Sequence, residues 1–214
     1  MSGVNKEFNA LWKQLYGELQ ALSSEAKKRN SAIKQASEKS IEILKTVHNY
    51  EELSRHPDFV APFIMSCSSN NAKLTTLSMQ CLQGLASTPC IPHDKLSNVL
   101  DAFIDATQLA LEIKLKVLQV LTVFFKNYSK YICGPLCSKL LHCCSNLLQL
   151  PNKSSMVVGT ASATLQQLID EIFERLSSEY NEEEEGSEEE RRYEVLIGNN
   201  ESIKVNAYRY DANR

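Results

Sequence analysis

A chain of 214 residues with 43% hydrophobic and 23% charged residues is long enough for one domain around one hydrophobic core. Only 7 Gly and 6 Pro leave little material for tight turns, which argues against an all-β fold and for long helices. The net charge of −3 hides an asymmetry: Glu179–Glu190 holds eight Glu, so the remainder is mildly basic at +5, too weak a bias to imply nucleic acid.

The segment "VNKEFNALWKQLYGELQALSSEAKK" places Val4, Phe8, Leu11, Trp12, Leu15, Leu19 and Leu22 at three- and four-residue steps, which predicts an amphipathic helix. A second helix is expected over Ser31–His48, with Ile33, Ala36, Ile43, Leu44 and Val47 as core candidates. Pro57 and Pro62 mark a break and a short helix, and "SCSSNN" offers Ser and Asn side chains to cap the next one. Helices are then expected over Ala72–Ser87, Asp94–Leu109, Ile113–Tyr131, Pro135–Leu150 and Ser155–Tyr180, joined by short polar links.

A long-period repeat runs through these elements. "KLTTLSMQCLQGL" begins at Lys73 and "KLKVLQVLTVFF" at Lys114, 41 residues on, so that Leu77 maps to Leu118; Leu165 lies 47 residues further. Helix pairs at this period predict an all-α, armadillo- or HEAT-like helical-repeat solenoid over residues 1–180. The stretch "GTASAT" opens the last helix with small residues, which would let a neighbouring helix approach Ala161 and Ala163 closely. Beyond Tyr180, residues 181–192 read as an acidic disordered linker. Residues 193–214, with alternation around Gly198-Asn199-Asn200, read as a hairpin-like lead-in to a following domain absent from this chain.

No catalytic constellation is visible. The glycines form no phosphate-binding loop, and the four histidines have no partner fixed by spacing. Seven cysteines, an odd number, mostly in helical apolar patterns and without a signal peptide, predict reduced thiols in the cytosol. Cys133, Cys137 and Cys144, beside His142 and Cys143, share one helical face; that spacing reads as small core residues rather than zinc ligands. No metal or other cofactor is expected, and the apolar runs are too short to span a membrane.

Surface stripes carry more. Lys73, Thr76, Gln80 and Gln83 recur at i, i+3, i+7 and i+10; Lys116, Gln119, Val123 and Lys126 repeat the steps, as do Thr160, Ala163, Gln167 and Asp170. Stacked in a solenoid, these predict a polar groove for a protein partner, the bland alternative being an ordinary solvated face.

The helix "GTASATLQQLIDEIFERL" resembles the "TA-x-A-x-LRQ…VFER" segment that closes the N-terminal DCB (dimerisation and cyclophilin-binding) domain of large Arf guanine-nucleotide exchange factors and their relatives. "LQALSSEAKKRNSAIKQASEKSIEIL" is similar to that family's opening helix pair, and "FVAPFIMSCSSNNAKLTTLSMQCLQGL" to its second pair. Gln166 stands where the family motif carries Arg. The nearest resemblance is to fungal members that lack the catalytic exchange domain. It implies a non-catalytic trafficking scaffold on trans-Golgi and endosome membranes, binding an Arf-like small GTPase, self-associating, and working with a Dopey-type partner. A regulatory domain that itself promotes nucleotide exchange is the alternative; it would need an exposed acidic finger, which the ordered part does not offer.

Overall fold

The computed structural model describes residues 2–26, 30–149 and 154–198, with side-chain surroundings for 6–26, 30–149 and 154–178. Nine α-helices appear among the described residues: α1 (Ser2–Glu25), α2 (Ser31–Thr46), α3 (Tyr50–Ser54), α4 (Ala61–Cys67), α5 (Ala72–Ala86), α6 (Leu96–Ala106), α7 (Leu111–Tyr128), α8 (Gly134–Gln149) and α9 (Ser155–Gly198). No strand occurs among them. None of these helices is long and apolar enough to cross a membrane.

Backbone contacts divide the chain into Met1–Leu168 and Ile169–Arg214. Within the first unit the helices stack in two rows. One row runs α1, α5, α7; the other runs α2, α4, α6, α8; and α1–α2, α4–α5 and α6–α7 pack across between them. This is the layered pairing of an armadillo-like helical repeat, in which each pair buries its apolar stripe on the next. Tight caps punctuate it. Asn49, the cap of α3, accepts the Glu52 amide at 2.8 Å, and the Glu52 carboxylate accepts the His48 amide just before the cap at 2.7 Å. Asn71 accepts the Lys73 and Leu74 amides at 3.0 and 3.2 Å and starts α5, as the "SCSSNN" stretch leads one to expect.

The repeat register differs from the predicted one. Buried Leu74, Ser78, Met79, Cys81, Leu82, Leu85 and Ala86 of α5 correspond to buried Ile113, Val117, Leu118, Val120, Leu121, Phe124 and Phe125 of α7, a period of 39 residues rather than 41. Leu77 is only half-buried, whereas Leu118 is fully buried. A two-residue slip turns a helix by about 200°, so the 41-residue alignment sets a core face against a solvent face.

In α2 the buried positions are Ile33, Ser37, Ser40 and Leu44, followed by Val47; Ala36 and Ile43 lie at its half-buried margins. The two serines are satisfied in the core: Ser37 donates to the Ile33 carbonyl at 2.8 Å and Ser40 to the Phe59 carbonyl at 3.0 Å. Their small side chains let the 3-10 turn Pro57–Val60 come close to α2.

Helix α9 buries Val157, Ala161, Thr164 and Leu168, one stripe at helical spacing. Ala163 is exposed, so only Ala161 of the two expected alanines is packed. The backbone of α9 continues helical to Gly198, through residues 181–192, where a disordered linker is expected, and through Tyr193–Gly198, where a strand is expected. Glu is a good helix former, and local propensity extends the helix where no apolar face is required. The Asn199–Arg214 part of the expected lead-in lies outside the described residues. In the second unit, Phe173 and Leu176 are exposed.

Candidate functional site

Of the three predicted stripes, the first lies on α5 and the second on α7, and these two helices pack directly on one another. Their line of contact opens into a cavity of about 210 Å³ lined by Thr76, Met79 and Gln80 of α5 and by Glu112, Ile113 and Lys116 of α7. Met79 and Ile113 form its buried floor. Thr76 and Glu112 are exposed at the rim, with Gln80 and Lys116 half-buried beside them. The helical geometry explains the arrangement: Thr76, Met79 and Gln80 fall at i, i+3 and i+4, and Glu112, Ile113 and Lys116 at i, i+1 and i+4.

The far ends of the two helices are tied together. Tyr128, buried at the end of α7, accepts the Ile91 amide at 2.8 Å and donates to the Thr88 carbonyl at 2.8 Å. Asn127 donates to the Ala86 carbonyl at 2.8 Å. Burial pushes the Tyr128 phenol well above the ordinary tyrosine range, so it stays a neutral donor.

Thr76, Gln80 and Lys116 of the predicted stripes are thus brought together. Lys73 is drawn aside, its ammonium 2.6 Å from the Glu25 carboxylate at the end of α1. Gln83 and Val123 are half-buried, and Gln119 and Lys126 are exposed, all outside the cavity lining; Gln167 is exposed on α9. Glu112 escaped the sequence reading. In the 39-residue register it is the equivalent of Lys73, and that register was the signal that would have found it.

The cysteine face resolves differently from its expectation. Cys143 and Cys144 are fully buried in α8, but Cys137 is half-buried and Cys133 is exposed, so only Cys144 of the three predicted core residues is one. Cys133 precedes α8, and Gly134 at φ +48 bends the chain there, so helical spacing does not extend to it. His142 is exposed. Among the described residues no three His, Cys, Asp or Glu side chains gather as a metal site would need. Burial pushes the Cys144 and Cys67 thiols up to about 12 and Cys90 up to about 11, which keeps these three protonated and poorly nucleophilic.

The cavity thus has an apolar floor with one acid, one base and two neutral hydrogen-bonding groups around it. A family model described as the DCB, Mon2/Sec7/BIG1-like, dimerisation and cyclophilin-binding domain matches residues 6–180. Protein MON2 of Saccharomyces cerevisiae is 64% identical over 207 residues, covering 97% of this chain and 12% of that protein. The Protein MON2 homolog of Homo sapiens is 28% identical over 187 residues, 84% of this chain and 11% of that protein. The Schizosaccharomyces pombe homolog is 25% identical over 173 residues, again covering 11% of its length. This chain spans only about a tenth of the length of these relatives. With a family model matching most of its length, the chain belongs to the Mon2/Sec7/BIG1-like family of dimerisation and cyclophilin-binding domains.

Proposed function

We propose that this chain is a non-catalytic interaction domain whose α5–α7 cavity receives a protein partner, as part of a longer trafficking scaffold at Golgi and endosome membranes. The observation that carries this reading is the convergence of Thr76, Gln80, Glu112 and Lys116 around the floor of Met79 and Ile113. Mixed charge around an apolar floor suits a folded protein surface better than a polyanion, because Glu112 would repel successive phosphates. Family resemblance nominates a GTP-loaded Arf-like small GTPase as the partner, with self-association and a Dopey-type protein engaged through the longer polypeptide. In this reading residues 1–180 are the interaction module, 181–192 a linker and 193–214 the approach to a following domain.

The test is retention on immobilised Arf-like GTPase, loaded with GTP or GDP, of the native chain and of Gln80→Arg with Lys116→Glu. The native chain is expected to bind the GTP form selectively, and the double variant to lose about ten-fold or more in affinity with its circular dichroism unchanged. Equal retention of both proteins would move the interface off this cavity. Binding of neither nucleotide form would remove the GTPase as partner.

A further inference from the structure

A second, larger concavity, of about 550 Å³, lies between α1 and the end of α2, away from the α5–α7 cavity. Its apolar wall is Phe8, Trp12 and Val47; its rim carries Lys13, Lys45 and His48. The wall is held rigid. The Trp12 indole N–H donates at 2.7 Å to the Leu44 carbonyl, in the last turn of α2, where carbonyls lack intrahelical partners. Trp12 also stacks on Tyr16, with centroids 5.0 Å apart and planes 7° off parallel, while Phe8 meets Tyr50 edge-on at 5.2 Å.

We propose that this concavity binds a short peptide segment of a partner protein in which an acidic residue stands next to a bulky apolar one. The apolar side chain lies against Trp12 and Phe8, and the carboxylate meets Lys13 and Lys45. Charge complementarity supports this occupant, because among the described residues no acidic side chain lines the concavity and its two lysines, Lys13 and Lys45, are exposed. The Lys45 ammonium is engaged by Glu42 at 2.7 Å, but both groups are exposed. Such a pair contributes little and exchanges readily for an incoming carboxylate. The α2 carbonyl end lies beside the wall and opposes an anion placed deep inside, so the charge belongs at the rim and the apolar group within. A flat membrane surface fits less well: Phe8 is buried and Trp12 half-buried, whereas bilayer contact calls for protruding apolar side chains.

Trp12 is the chain's single tryptophan, so its fluorescence reports on this concavity alone. The experiment selects octapeptides from a random library on the full chain, then titrates the selected peptides against Trp12 emission. The expected peptides pair Asp or Glu with Phe, Leu or Trp, and the tryptophan-free ones shift the emission. The variant Lys13→Glu with Lys45→Gln weakens them by about ten-fold or more while unfolding at the native temperature, since both lysines are exposed. Selection of no peptide, or of neutral or basic ones, overturns the proposal. So does an unmoved emission, or an affinity that survives the double substitution. Phosphatidylcholine vesicles with about 30% phosphatidylserine form the second arm. An emission shift with vesicles and none with peptides would replace the peptide by a lipid surface.

Discussion

Gly84 in α5 and Gly159 in α9 look alike in the sequence, each a glycine inside a helix. Their surroundings are opposite. A Cβ on Gly84 would come within 2.9 Å of the Leu11 Cδ1 atom of α1, whereas a Cβ on Gly159 would meet nothing within 4 Å. A tight approach of the kind the small-residue tract suggests at α9 is found at α5, where a glycine leaves room for the Leu11 side chain of α1. What decides the role of a small residue is the face it occupies. Ala161 lies on the buried stripe with Val157 and Leu168, and Ala163, two residues on, is in solvent.

Substitutions at these positions sharpen or break that contrast. The largest effect is expected for Gly84→Leu, which adds a branched side chain where even a Cβ meets the Leu11 tip and should cost about 2–3 kcal/mol. In thermal unfolding that corresponds to a fall of about 4–12 °C. A loss below about 1 kcal/mol would mean that the α1–α5 contact yields without resistance. Next comes Ala161→Leu, expected to cost about 1–3 kcal/mol by overpacking, with Ala163→Leu as its partner measurement, expected within about 0.5 kcal/mol of native. Similar losses for both alanines in urea denaturation would show that the tract packs as a whole. The smallest effect carries the opposite sign. Gly159→Ala should stabilise by about 0.5–1 kcal/mol, because helix propensity and a less flexible unfolded chain both favour alanine where space is open. A destabilised Gly159→Ala protein would place a neighbour against that face after all.

The helices themselves were legible because each signal is local. Apolar spacing marks α1, and Asn71 starts α5 through its own side chain. The repeat register was not, because the matching Lys-Leu dipeptides at Lys73 and Lys114 set fully buried Leu74 against half-buried Leu115, while the 39-residue period is carried by buried positions of varied type, such as Ser78 in the role of Val117. The buried serines of α2 were missed for a related reason. A helical serine reads as polar until a carbonyl such as that of Phe59 is brought to it by tertiary packing. At the candidate site, helical steps grouped Thr76 with Gln80, and both line the cavity. They had no means of showing that Glu25, far away in sequence, draws Lys73 aside, or that Glu112 takes the facing position on α7.

The tie made by Tyr128 has a consequence for how the stack comes apart. One phenol oxygen holds the Ile91 amide and the Thr88 carbonyl, neither of which belongs to α5 or α7. That amide is released to solvent only when the end of α7 lifts from the loop after α5. Its hydrogen exchange therefore measures the free energy of separating two adjacent repeats, rather than of melting either helix. In a nearly one-dimensional array, where neighbours supply the cooperativity, this single proton reads the coupling constant between links of the chain.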